Sequence, residues 1–113
     1  MSQFNSVLAK TLTAAGTIVA ERFVSAAGAQ ISVAGNAAIG VARNAAAAGE
    51  LVTVDMVGTA IIESGGAISA GVAVKSGADG RALTYDTGTK AGVALQAATG
   101  AGQRIEILLL AQA

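Results

Sequence analysis

The sequence predicts an all-β domain of short strands, built from two similar strand-turn-strand-loop-strand units that together complete one barrel or sandwich. Three observations predict it: the spacing of glycine, apolar–polar alternation between the glycines, and one pattern that recurs 52 residues further on. Of the 113 residues, 28 are Ala, and alanine is the best helix former. The fifteen glycines overrule it, because they leave hardly any window long enough for a stable helix while Val, Ile and Thr fill the gaps.

Residues 1–14 are expected to form an N-terminal arm and residues 15–113 a single β-rich domain. The opening segment lacks strong patterning, and its apolar residues Phe4, Val7, Leu8 and Leu12 would suit an arm that orders against a neighbouring subunit. It also lacks a basic stretch ahead of an apolar run, so no secretory signal is expected. Phe23 to Ala42 is uncharged over twenty residues, the length of a membrane-spanning helix. Gln30, Ser25, Ser32, Asn36 and three glycines interrupt it, and Ile31, Val33, Ile39 and Val41 form two alternating pairs around a turn-like Ala34-Gly35-Asn36-Ala37. No membrane is expected as a partner.

The Ala45–Ala48 run fits one helical turn or an extended loop. Leu51 to Val57 alternates, with Val52, Val54 and Met56 on one face and Leu51, Thr53, Asp55 and Val57 on the other. Ser64-Gly65-Gly66, Ser76-Gly77 and Asp79-Gly80 read as turns, and Asp79-Gly80 is the strongest hairpin signal. Arg104 to Leu108 sends Ile105 and Ile107 inward. Leu108, Leu109 and Leu110 cannot all face inward on one strand, so Leu109 is expected at a subunit contact if its neighbours are buried, or the reverse.

The recurrence matches Ile31-Ser32-Val33 with Leu83-Thr84-Tyr85, and Ile39-Gly40-Val41-Ala42 through Ala46 with Ala91-Gly92-Val93-Ala94 through Ala98. Gly49 to Val54 then matches Gly102 to Ile107, with one extra residue before the second glycine. A period this long argues against a β-solenoid, whose coils repeat at short intervals.

Composition removes most chemistry. There is no His, Cys, Trp or Pro, hence no imidazole base or ligand, no thiol nucleophile and no thiolate metal site. Asp55, Glu63, Asp79 and Asp86 are the remaining acid–base groups, but two Phe and one Tyr supply few of the aromatic platforms of a sugar cleft. Asp79-x-Arg81 and Asp86-Thr87-Gly88 lack the alternating acids of a calcium loop. Gly65-Gly66 and Gly100-Ala101-Gly102 lack the Lys-Ser/Thr of a phosphate loop. A non-enzyme without metal or cofactor is the expectation.

Seven basic residues offset seven acidic ones, so no net field draws the chain to nucleic acid. Arg22, Arg43, Lys75, Arg81, Lys90 and Arg104 read as solvated charges, some available to pair across an interface with Glu21, Glu50 or Glu63. The lack of cysteine fits manufacture in a reducing cytoplasm. An alanine-rich core is thin, and burial against other chains would add to it.

The order of these segments resembles the phage capsid decoration, or cement, proteins. The resemblance rests on Gly40-Val41-Ala42 with Ala46-Ala47-Ala48-Gly49-Glu50, then Ile68-Ser69-Ala70-Gly71-Val72, then Gly92-Val93-Ala94-Leu95 and the strand from Arg104 to Leu109, spanning about residues 16 to 110. It implies a small β-barrel or β-tulip-like domain that binds the outside of a phage shell. It further implies a homotrimer that clamps major capsid protein subunits and carries no catalytic residues. The arm would then lie against a subunit or the capsid floor. The alternative is a small β-barrel or β-clip module that binds a ligand or peptide.

Overall fold

The structure, a computed structural model, describes residues 6–109. Strands occupy the segments between the glycines: β1 (Ser6–Thr13), β2 (Phe23–Val24), β3 (Gly40–Ala42), β4 (Leu51–Glu63), β5 (Ala73–Ser76), β6 (Ala82–Thr84), β7 (Gly92–Ala94) and β8 (Arg104–Leu109). The described residues contain no helix, and none therefore that is long and apolar enough to cross a membrane. The sheet runs β2-β3-β4-β8-β7-β5-β6, with β1 also paired to β4, and every strand pairing is antiparallel. Phe23 N–H donates to the Gly80 carbonyl at 2.8 Å, and Ser64 bridges Ala82, so the two ends of the sheet approach and the barrel nearly closes. The fold is a small all-β domain, as its alternation and glycine spacing require.

The segment read as an arm joins this sheet. From Ala9↔Asp55 to Thr13↔Leu51, β1 keeps one register with β4 of the same chain, Leu12 packs against the core and Ala14 is buried. Phe4 lies outside the described residues, as do the side chains of Val7 and Leu8. The uncharged stretch Phe23 to Ala42 is β2, a return loop and β3. The Ala45–Ala48 run is an extended loop whose Ala46 bridges Ile18, followed by a turn at Ala48-Gly49. Asp79-Gly80 does turn the β5–β6 hairpin, where Gly77 N–H donates to Arg81 at 2.7 Å.

β4 organises the molecule. Its alternation buries Val52 and Val54, then continues past Gly58 to bury Ala60 and Ile62, all without exposure. Val52 and Val54 belong to one apolar cluster with Ala14, Ile18, Val24, Ala42 and Ala46. Ala60 and Ile62 belong to a second, with Ile68, Val74, Ala94, Ala98, Ile105 and Ile107. The two clusters are the cores of the two units.

The backbone extends the repeat well beyond the matched sequence. Val41↔Asp55 and Ala42↔Val54 recur as Val93↔Leu108 and Ala94↔Ile107. The Ile18–Ala46 bridge recurs as Ile68–Ala98. Ala14 N–H to Glu50 O at 2.8 Å recurs as Ser64 to Gln103 at 2.7 Å, and Glu21 N–H to Ala42 O at 2.8 Å as Gly71 to Ala94 at 2.7 Å. Even a side-chain contact repeats: Asn44 Oδ1 accepts from Thr53 N–H, and Gln96 Oε1 from Glu106 N–H, both at 2.9 Å. Unit one therefore begins in β1 and unit two in the second half of β4, where Leu12↔Val52 and Thr13↔Leu51 recur as Ile62↔Ile105 and Glu63↔Arg104. β4 closes the first and opens the second.

The glycine of each Gly-Val-Ala strand is needed for contact rather than conformation. A Cβ at Gly40 would sit 2.1 Å from the Asp55 carbonyl oxygen, and one at Gly92 would sit 2.5 Å from that of Leu108. The strands can lie this close only without a side chain.

Candidate functional site

Most charged residues pair within the chain, and two of these sets, Arg22–Glu63–Arg81 and Glu21–Arg104, tie the two units together. Glu63, at the end of β4, receives Arg22 of unit one at 3.2 Å and Arg81 of the β5–β6 turn at 3.1 Å, and the Arg22 and Glu63 side chains are only 11% and 13% exposed. Arg22 also donates to the Asp79 carbonyl at 2.8 Å, as Gln30 does at 2.9 Å. Arg104 of β8 reaches Glu21, and Arg43 grips the buried Asp55. Lys75 pairs with Asp86, and Lys90 lies 5.3 Å from the centre of the Tyr85 ring. The scattered, solvated charges expected from the sequence are therefore corrected: Arg22 and Glu63 are mostly buried, and Glu21 and Glu63 are engaged by their own chain. Glu50 caps a turn, accepting from Ala47 N–H at 2.7 Å.

The four carboxylates considered for acid–base work do not converge as a bare pair. Asp55 faces Arg43, Glu63 faces two arginines, Asp79 shares Arg81 at 3.5 Å, and Asp86 faces Lys75. The hydrogen bond from Lys75, then that from Thr87 N–H, holds the Asp86 carboxyl below the ordinary aspartate value. The described residues show no cluster of acidic groups suited to a metal ion. One surface depression is lined by Thr17, Ile18, Glu50 and the Ala45–Ala47 run, and another by Glu21, Ala42, Arg43, Asp55 and Ile61.

What the surface does offer is an apolar strip on the outer side of the sheet. Leu108 projects from β8 at 41% exposure, flanked by its cross-strand partners Thr59 on β4 and Val93 on β7. Leu95, 47% exposed, continues the β7 side, where its N–H donates to Glu106 O at 2.9 Å. Val57 stands two residues before Thr59 on β4, whereas Leu51, the more exposed of the two, is set apart from it by Thr53 and the Arg43–Asp55 pair. Large apolar side chains left in water next to one another mark a contact surface more than scattered ones do.

Leu109 needs a correction. It points into the core of unit two at 9% exposure, and Leu108 is the outward member of the pair. The signal was present in the sequence, since the period that turns Ile105 and Ile107 inward turns Leu109 inward as well. Leu12 is half-buried on β1, and the sequence signal for Leu95 is its place in the repeat, where it stands at the position of the charged Arg43.

The chain is similar to the N base of head fiber gp8.5 of bacteriophage phi29, with a TM-score of 0.74 at 22% identity, over 91% of this chain and 93% of that one. At that identity the likeness establishes the shared fold. No curated protein matches the chain. The profile of the phage cement protein family matches residues 1–109, both units and β1 included, and the chain belongs to that family.

Proposed function

We propose that the chain is a virion structural protein that binds the outer surface of a phage capsid and stabilises the lattice of major capsid protein, acting as a trimer. The observation that carries this reading is the family match, which spans both units. The likeness to a phage head fiber base supports it at the level of fold. The molecule is suited to such work. Its charges are spent on internal ties, and the outer sheet face offers leucines and valines on rigid strands. A contact of modest strength suffices when many copies occupy one lattice, because each particle gains from all of them together.

Cosedimentation of the purified protein with phage heads tests the reading. The protein is expected in the pellet at saturable, lattice-limited stoichiometry, and heads carrying it should resist heat or chelation better than bare ones. A chain that never sediments with heads, and instead binds a small ligand or peptide, would establish the β-clip binding module in its place.

A further inference from the structure

We propose that copies of this chain join head to tail, the outer face of unit two around Val93, Leu95 and Leu108 docking on the open side of unit one around Leu12, Ile39 and Met56 of another copy. The chain contains the pattern for this contact, since its own two units already meet in that way. Phe23, Ile31 and Val41, on the outer side of unit one, are 0%, 4% and 1% exposed because they are built into the core cluster of unit two. At the matching positions of unit two stand Ala73, Leu83 and Val93, all only half-buried. No described residue covers them as unit two covers their counterparts.

A change of chemistry accompanies the loss of cover. Unit one holds the ion pair Arg43–Asp55 on this face. The ladder positions equivalent to those two residues in unit two are Leu95 and Leu108. Both leucines remain in water although the surface around them would accept charges, as unit one shows. Such a replacement removes the desolvation cost of burying this face.

The accepting side is incomplete in the complementary sense. In unit two, Ile62, Ala91 and Leu109 close the side that takes up unit one, at 0%, 4% and 9% exposure. Their equivalents in unit one are Leu12, Ile39 and Met56, which pack against its core but are only partly buried. Each chain thus has one unused donating face and one unused accepting side, and its internal interface shows how the two fit. The contact is heterologous, and closes into a ring or propagates according to the rotation it imposes. The ring of three rests on the trimer proposed above, whereas the contact itself does not.

The experiment is sedimentation velocity on the pure protein without capsids. The wild-type chain is expected to sediment as an oligomer. Leu95→Asp with Leu108→Asp is expected to sediment as a monomer with unchanged circular dichroism, because both side chains are exposed and neither supports the fold. Met56→Asp is expected to be monomeric for the opposite reason, and Ile39→Lys takes its place should that variant not fold. Mixing the two monomeric variants should yield dimers that stop at two, since one sound face remains on each. A wild-type monomer at every loading concentration, an oligomer that survives the double substitution, or a mixture that stays monomeric would overturn the proposal. A wild-type oligomer that fails to sediment with heads would count against the capsid reading and leave this contact standing.

Discussion

Two glycines that look alike in the sequence differ in what they tolerate. Gly71 has a positive φ of 86° but no atom within 4 Å of its missing side chain, so Gly71→Ala should cost only the left-handed backbone, about 1 kcal/mol. Gly92 has the Leu108 carbonyl 2.5 Å from where a Cβ would be, so Gly92→Ala must part β7 from β8 and should cost about 3 kcal/mol. Urea titration of the two variants side by side checks the order. The unit-one equivalent of Gly71 is Glu21, which carries a φ of 65° and still reaches Arg104. Adjacent leucines separate in the same manner. Leu109→Lys buries a charge in the core of unit two and should cost about 3 kcal/mol or more, whereas Leu108→Lys should change the stability of the single folded chain by no more than about 0.5 kcal/mol.

At the scale of elements, the tie between units runs through the end of β4. Glu63→Gln removes the one carboxylate that serves both Arg22 and Arg81, and leaves Arg22 with its side chain nine-tenths buried and facing a neutral amide. The expected loss is about 2 to 3 kcal/mol in thermal or urea unfolding, larger than for an exposed pair such as Glu21–Arg104. The strands themselves were legible in the sequence because Val, Ile and Gly fix both their period and their ends. The repeat was legible only from Ile31 onward, where Gly-Val-Ala and the alanine loops recur as residues. Before that point the offset changes and only scattered residues recur, Gly16, Ile18, Ala20 and Val24 as Gly66, Ile68, Ala70 and Val74, and the backbone hydrogen bonds make the match plain, Ala14 with Ser64, Glu21 with Gly71 and Phe23 with Ala73. The ion-pair network was illegible for a different reason. Arg22, Glu63 and Arg81 are far apart along the chain, and only the near closure of the sheet brings them within 3.2 Å.

For the whole molecule, the thin core expected from the alanine count is observed: of the buried hydrophobic residues described, nine are Ala, and Phe23 is the one aromatic side chain among them. Neither unit is therefore expected to stand alone. A fragment of residues 1–63 would leave Phe23, Ile31 and Val41 without the cluster that covers them, and its amide proton–nitrogen spectrum should show the narrow dispersion of an unfolded chain. A dispersed, native-like spectrum would mean that unit one folds without its neighbour. The shared strand has one more consequence. Most two-part proteins are joined by a linker about which the parts can swing. Here the joint is thirteen residues of continuous strand, bonded along its length to β1 and β8. The two units cannot swing past each other, because their relation is set once by the fold, so any surface that contacts both must already match it.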